Sequence, residues 1–165
     1  MMEKKLYSYL KAIGADNLNM DSFNDRLKLQ KYIYLLQEFG VNLGFRFRYY
    51  IRGPYSPDLA DAGYRLSHMK REGLLDFDHD SVRVVAYQDN IEKFRKFISE
   101  YRNNPKMLEL LATIHFLFKY SYYPQPKTME NIKRFIKESD TKPYFTEDEY
   151  RRAFSKLKEF GLVVL

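Results

Sequence analysis

The chain has 165 residues, with 28 Lys+Arg against 22 Asp+Glu, a formal net charge of +6 and 45% hydrophobic residues, the composition of a folded domain. Cysteine is absent, which excludes disulfides, Cys-ligated zinc and thiol chemistry, and none of the seven glycines stands in a dinucleotide-binding or P-loop setting. The longest apolar run, residues 110–118, is too short for a bilayer span and no signal-type leader opens the chain, so a cytoplasmic protein with no membrane segment is expected.

Residues 4–13 place Leu6, Tyr9, Leu10 and Ile13 at helical spacing and stop at Gly14. Asp21 or Ser22 caps a second helix that runs to Phe39 and Gly40. Its apolar residues form two stripes, Leu29/Ile33/Leu36 and Tyr32/Leu35/Phe39, so it needs cover on more than one side and should be central. Over residues 45–52 the period changes to two: Phe45, Phe47, Tyr49 and Ile51 alternate with Arg46, Arg48, Tyr50 and Arg52, as in a half-buried strand. Gly53-Pro54-Tyr55-Ser56-Pro57 breaks it, and Ser56 with Pro57 starts a third helix that ends at Gly73.

Residues 74–78 and 82–87 read as a hairpin around Asp78-His79-Asp80-Ser81. Asp89 is expected to cap an amphipathic helix with Ile91, Phe94, Phe97, Ile98 and Tyr101 inward. Pro105 opens a helix that is apolar nearly all round, with His115 as a hydrogen-bonded core histidine. After Pro124-Gln125-Pro126, Thr128 caps one helix, and Thr146 with Glu149 forms a capping box for the last, which ends at Gly161. The stretch 66–75 echoes 154–163, each a helix stopped by Gly before an apolar extended segment, as in the helix-to-wing join of winged-helix domains.

The expected architecture is α+β, mostly α: a helical bundle with a small antiparallel sheet and winged-helix-like helix-to-strand joins. Residues 1–88 would form a winged-helix-like lobe in which strand 45–51 and the 74–87 hairpin make a three-stranded sheet. Residues 89–165 would form a helical lobe packed with it as one unit.

Alternation puts Arg46, Arg48 and Arg52 on one strand face with Tyr50 among them, a pattern suited to phosphates and a stacked base but equally to a solvated edge strand. On the last helix, Arg151, Arg152 and Lys156 occupy the positions of base-reading residues, yet Asp148 four before Arg152 also fits an ion-paired face. A strand between the second and third helices departs from a helix-turn-helix. Asp76, Asp78, His79 and Asp80 are ordinary turn residues before they are metal ligands, and no nucleophile–His–acid order, paired-carboxylate motif or H-E-x-x-H is present. No catalytic, cofactor or metal residues are therefore assigned. The Gly53-Pro54 loop, stiffened by two prolines, reads as a connector or as a ridge that presents Tyr50 and Tyr55 to a partner.

Two stretches carry a resemblance. Leu29-Gln30-Lys31-Tyr32-Ile33-Tyr34-Leu35, followed by Tyr50-Ile51-Arg52-Gly53-Pro54-Tyr55-Ser56-Pro57-Asp58-Leu59, resembles the Panacea (SocA-like antitoxin) domain and its prokaryotic relatives over roughly residues 27–75. The resemblance implies a small, largely helical prokaryotic protein without catalysis, acting as an antitoxin or adaptor on a protein partner, a toxin or regulated target. The expectation is thus a protein-binding module anchored by Tyr50, Gly53, Pro54 and Tyr55. The alternative is a winged-helix-type nucleic-acid-binding regulator using Arg46, Arg48, Arg52, Arg151, Arg152 and Lys156.

Overall fold

The computed structural model describes residues 2–75, 81–139 and 143–165. Its element order is α1 (Met2–Ala12), α2 (Phe23–Glu38), β1 (Arg48–Tyr50), β2 (Gly53–Tyr55), α3 (Pro57–Arg71), α4 (Ser81–Ala86), α5 (Gln88–Ile98), α6 (Pro105–Lys119), α7 (Met129–Lys137) and α8 (Glu147–Glu159). This is the α+β, mostly helical class that the sequence predicts.

Helix starts follow side-chain chemistry. Ser22, Ser56, Asn104, Thr128 and Thr146 each accept a hydrogen bond from a backbone N–H of the first turn they precede, and Thr146 with Glu149 closes a full capping box. Pro57 and Pro105 occupy first-turn positions where no N–H is missed. Helix α5 departs from expectation: its N-cap is Tyr87, with no side-chain cap, and Asp89 lies inside the first turn.

Helices α2 and α6 form the centre. Helix α2 packs on α6, α3, α5 and β2, and α6 packs on α2, α7, α8 and β2. Helix α6 is apolar all round because it is covered all round: every residue from Met107 to Leu117 is buried. The buried apolar residues, from Leu6 on α1 to Val163 after α8, form one cluster. No helix among the described residues is long and apolar enough to cross a membrane.

The sheet differs from expectation. Strand β1 turns back at Ile51-Arg52 and pairs antiparallel with β2, in the register Arg48↔Tyr55, Tyr49↔Pro54 and Tyr50↔Gly53. Among the described residues this is a sheet of two strands, and no third strand joins it. Residues 82–87, read as the second strand of a hairpin, fall instead in the helix α4, packed on α1, and at the Tyr87 N-cap of α5; residues 78–80 of the expected turn lie outside the described residues. Runs of Val over so few residues fit either period, and packing against α1 decides here.

The echoed segments have a local cause. After α3, Gly73 N–H bonds Lys70 C=O and Leu74 N–H bonds Met69 C=O; after α8, Gly161 bonds Lys158 and Leu162 bonds Leu157. The same pair of bonds closes α1 at Gly14-Ala15 and α2 at Gly40-Val41. Four helices thus share one glycine-dependent C-terminal motif, so the echo is cap chemistry. Beyond both glycines the described chain forms no strand.

Candidate functional site

The hairpin is inset between the two central helices, and neighbouring side chains of α2 hold it there. The Gln30 amide donates to Ser56 C=O at 2.9 Å and accepts from Ser56 N–H at 2.8 Å. The Lys31 ammonium, itself buried, donates to Pro54 C=O at 2.7 Å. From α6, Thr113 faces Gly53 so closely that a Cβ on that residue would lie 2.4 Å from the Thr113 hydroxyl. Gln30 and Lys31 therefore serve the fold, since they satisfy backbone groups of a loop that leaves water. Replacing Gln30 by Ala leaves the N–H of the fully buried Ser56 without its partner, while Ser56 C=O keeps only the Ala60 N–H; a loss of about 2 kcal/mol is expected in urea unfolding.

This placement changes the expected ridge. Gly53 and Pro54 are buried and Tyr55 is half-buried, so the loop itself is not displayed. What faces outward is the turn before it: Tyr50 is exposed, and Ile51 is 61% exposed because the chain reverses there, ending the inward alternation of Phe45, Phe47 and Tyr49. The Tyr50 and Tyr55 rings meet edge to face at 5.2 Å.

Beside the hairpin, α2 and α3 leave a mainly apolar crevice of about 160 Å³ whose walls include Phe23, Leu27, Tyr55 and Tyr64, with Arg26 and Arg52 among them. Phe23 and Tyr64 are 51% and 49% exposed. The Arg26 and Arg52 guanidinium groups lie 5.9 and 5.5 Å from the Phe23 ring centre. Burial, with the nearby Tyr64 and Asp61 adding to it, raises the Tyr55 phenol above its ordinary value. Sequence reasoning gave Phe23 and Tyr64 no role. The available signal was negative: each is a large aromatic at a position that the stripes of α2 and α3 leave outside.

The predicted arginine row divides at the turn. Arg46, Arg48 and Tyr50 share the exposed side, but Arg52 comes after the reversal and lies 3.9 Å from the buried Glu109 carboxylate. Neither Arg46 nor Arg48 has an ion-pair partner among the described residues. They border a separate groove of about 440 Å³ with Phe47, Phe116, Tyr120 and Glu38. The row on α8 is ion-paired: Arg151 and Arg152 bond Asp148, the latter at 2.8 Å, and Lys156 bonds Glu100 at 2.6 Å. The predicted core histidine is observed, since His115 is buried with its Nδ1 2.7 Å from the Tyr34 hydroxyl. No group of His, Asp and Glu suited to a metal occurs among the described residues, and Asp76, Asp78, His79 and Asp80 lie outside them.

No family model matches the chain, and neither the curated proteins nor the solved structures include a match.

Proposed function

We propose that this chain is a non-enzymatic prokaryotic binding module of antitoxin or adaptor type, which takes a segment of a protein partner into the crevice between α2, α3 and the β1–β2 hairpin. The observation that carries the reading is the pair of exposed rings, Phe23 and Tyr64, on an apolar crevice that also holds Arg26 and Arg52. Water-exposed rings around a concave apolar surface gain from burial against a partner, and aromatic and arginine anchors dominate binding energy at interfaces. The charge selects the partner: an apolar side chain flanked by carboxylates would bury the rings and meet the guanidinium groups together. Tyr50 and Ile51 extend the surface beyond the crevice, while Gly53 and Pro54 act through the rigidity they give the hairpin. The Panacea-like resemblance points the same way, because its pattern residues build and fix one wall of this crevice.

Affinity capture of the tagged chain from its native host tests the reading. A stoichiometric protein that resists nuclease treatment is expected, with binding weakened about tenfold or more by Phe23→Ala or Tyr64→Ala. Both side chains are half outside the fold, so circular dichroism should stay unchanged. Full retention of the partner by the double variant, or a capture that nuclease abolishes, overturns the assignment.

A further inference from the structure

A second surface has different chemistry. Arg46 and Arg48 stand two positions apart on the chain entering β1, both outward, because Phe45, Phe47 and Tyr49 between and beside them point inward. Across the groove they border is Tyr120, half-exposed at the end of α6, whose ring packs 5.5 Å from Phe116. The chain then presents two more rings in succession: Tyr122 and Tyr123 are 73% and 64% exposed, with centres 4.9 Å apart in an edge-to-face pair. The groove also holds one carboxylate, Glu38. It is already engaged: Lys119 bonds it at 2.8 Å, the Tyr120 hydroxyl donates to it, and His115 Nε2 lies 4.0 Å away.

We propose that this surface binds single-stranded nucleic acid, with Arg46 and Arg48 on backbone phosphates, Tyr122 and Tyr123 as platforms on which unpaired bases stack, and Tyr120, whose ring is already packed by Phe116 and the Lys119 ammonium, as the wall between them. The arginines supply what a phosphate needs, a planar fork of donors with no competing ion pair among the described residues. The tyrosines supply a sequence-tolerant π-face that a base in a duplex cannot reach, since both of its faces are already stacked. A duplex reader would instead bring a helix or ribbon with basic side chains to a groove. The basic row of α8 is tied to Asp148 and Glu100, which leaves it poorly suited to reading a duplex. The inference rests on different residues from the protein-binding crevice, and either can fail without the other.

Fluorescence anisotropy on the full chain, with labelled oligothymidylate and oligouridylate of about 15 nucleotides and a duplex of equal length, decides the matter. The single strands are expected to bind more tightly than the duplex, with affinity falling as salt rises. Arg46→Ala/Arg48→Ala should reduce the slope of log affinity against log salt by about 1.4, two phosphate contacts at about 0.7 each. Tyr122→Ala/Tyr123→Ala should weaken binding about tenfold or more while leaving that slope unchanged. Phe23→Ala/Tyr64→Ala serves as the control and should bind like the parent chain. All of these side chains except Phe23 and Tyr64 lie on the proposed surface and outside the core, so circular dichroism confirms that each variant is folded. The inference is overturned by tighter binding to the duplex, by the absence of single-strand binding at about 50 mM salt, or by an unchanged salt slope in the arginine variant.

Discussion

Gly53→Ala is expected to destabilise the fold by about 2–6 kcal/mol, more than a typical single substitution, through two separable causes. Gly53 has φ +92°, a conformation that L side chains rarely adopt; holding an alanine there costs about 1–3 kcal/mol. The added Cβ would also sit 2.4 Å from the Thr113 hydroxyl on α6, and forcing a methyl group into a packed site costs about another 1–3 kcal/mol. The two can be told apart. Thr113 Oγ1 is buried with no hydrogen-bond partner among the described residues, so Thr113→Ala removes a hydroxyl that contributes little. In the double variant the methyl group has room while the backbone strain remains. Urea unfolding of the four proteins in this cycle should show a favourable coupling of about 1–2 kcal/mol between the two substitutions. Strict additivity would mean that the hairpin does not press against α6 at this point.

That contact also explains which parts of the molecule were legible in the sequence. Helix starts are local: Ser22, Ser56, Asn104, Thr128 and Thr146 each act on the N–H group three residues on, and the stripes of α5 and α8 place their buried residues at helical spacing. The hairpin is not local. Ile51-Arg52 carries none of the usual hairpin dipeptides, and the turn is closed by Gly53, at positive φ, after two ordinary residues. Read along the chain, Gly53-Pro54 is a break; seen in space, it is a strand whose Pro54 C=O is held by Lys31 and whose exit at Ser56 is held by Gln30, both more than twenty residues earlier. Alternation therefore located Arg46, Arg48 and Tyr50 correctly on one side and failed at Arg52, past the reversal. The crevice around Phe23 and Tyr64 was invisible for a related reason. An outward aromatic shows its use only when the neighbouring wall, here Tyr55 and Arg52, is in place.

Acidification should reveal the buried His115 as a loss of about 3 kcal/mol of stability between pH 6.5 and pH 4. Burial, which the positive Lys119 reinforces and the Glu38 carboxylate opposes, pushes the imidazole down from its ordinary 6.5 to about 4. Around and below pH 6.5 the unfolded chain therefore takes up a proton that the folded chain refuses until about pH 4, so stability falls with pH through that window and the slope from this group dies away over about one pH unit above it. The geometry agrees with a neutral ring. The Tyr34 hydroxyl, which burial holds well above its ordinary range and so protonated, lies 2.7 Å from Nδ1; in the neutral tautomer that carries its proton on Nε2, facing Glu38, the phenol donates to Nδ1, whereas an imidazolium would carry a proton there and reverse that bond. Carboxylates held down by basic partners, such as Glu3 by Arg65, lose their contribution only near and below pH 4.5, so the upper part of the window belongs to the histidine. His115→Leu removes the titrating group. It should be less stable at pH 7.5, because Tyr34 loses its acceptor, yet its stability should change little between pH 6.5 and pH 5, where the parent loses about 2 kcal/mol. Urea unfolding of both proteins across that range reads the difference, and parallel pH profiles would show that His115 is charged in the folded protein.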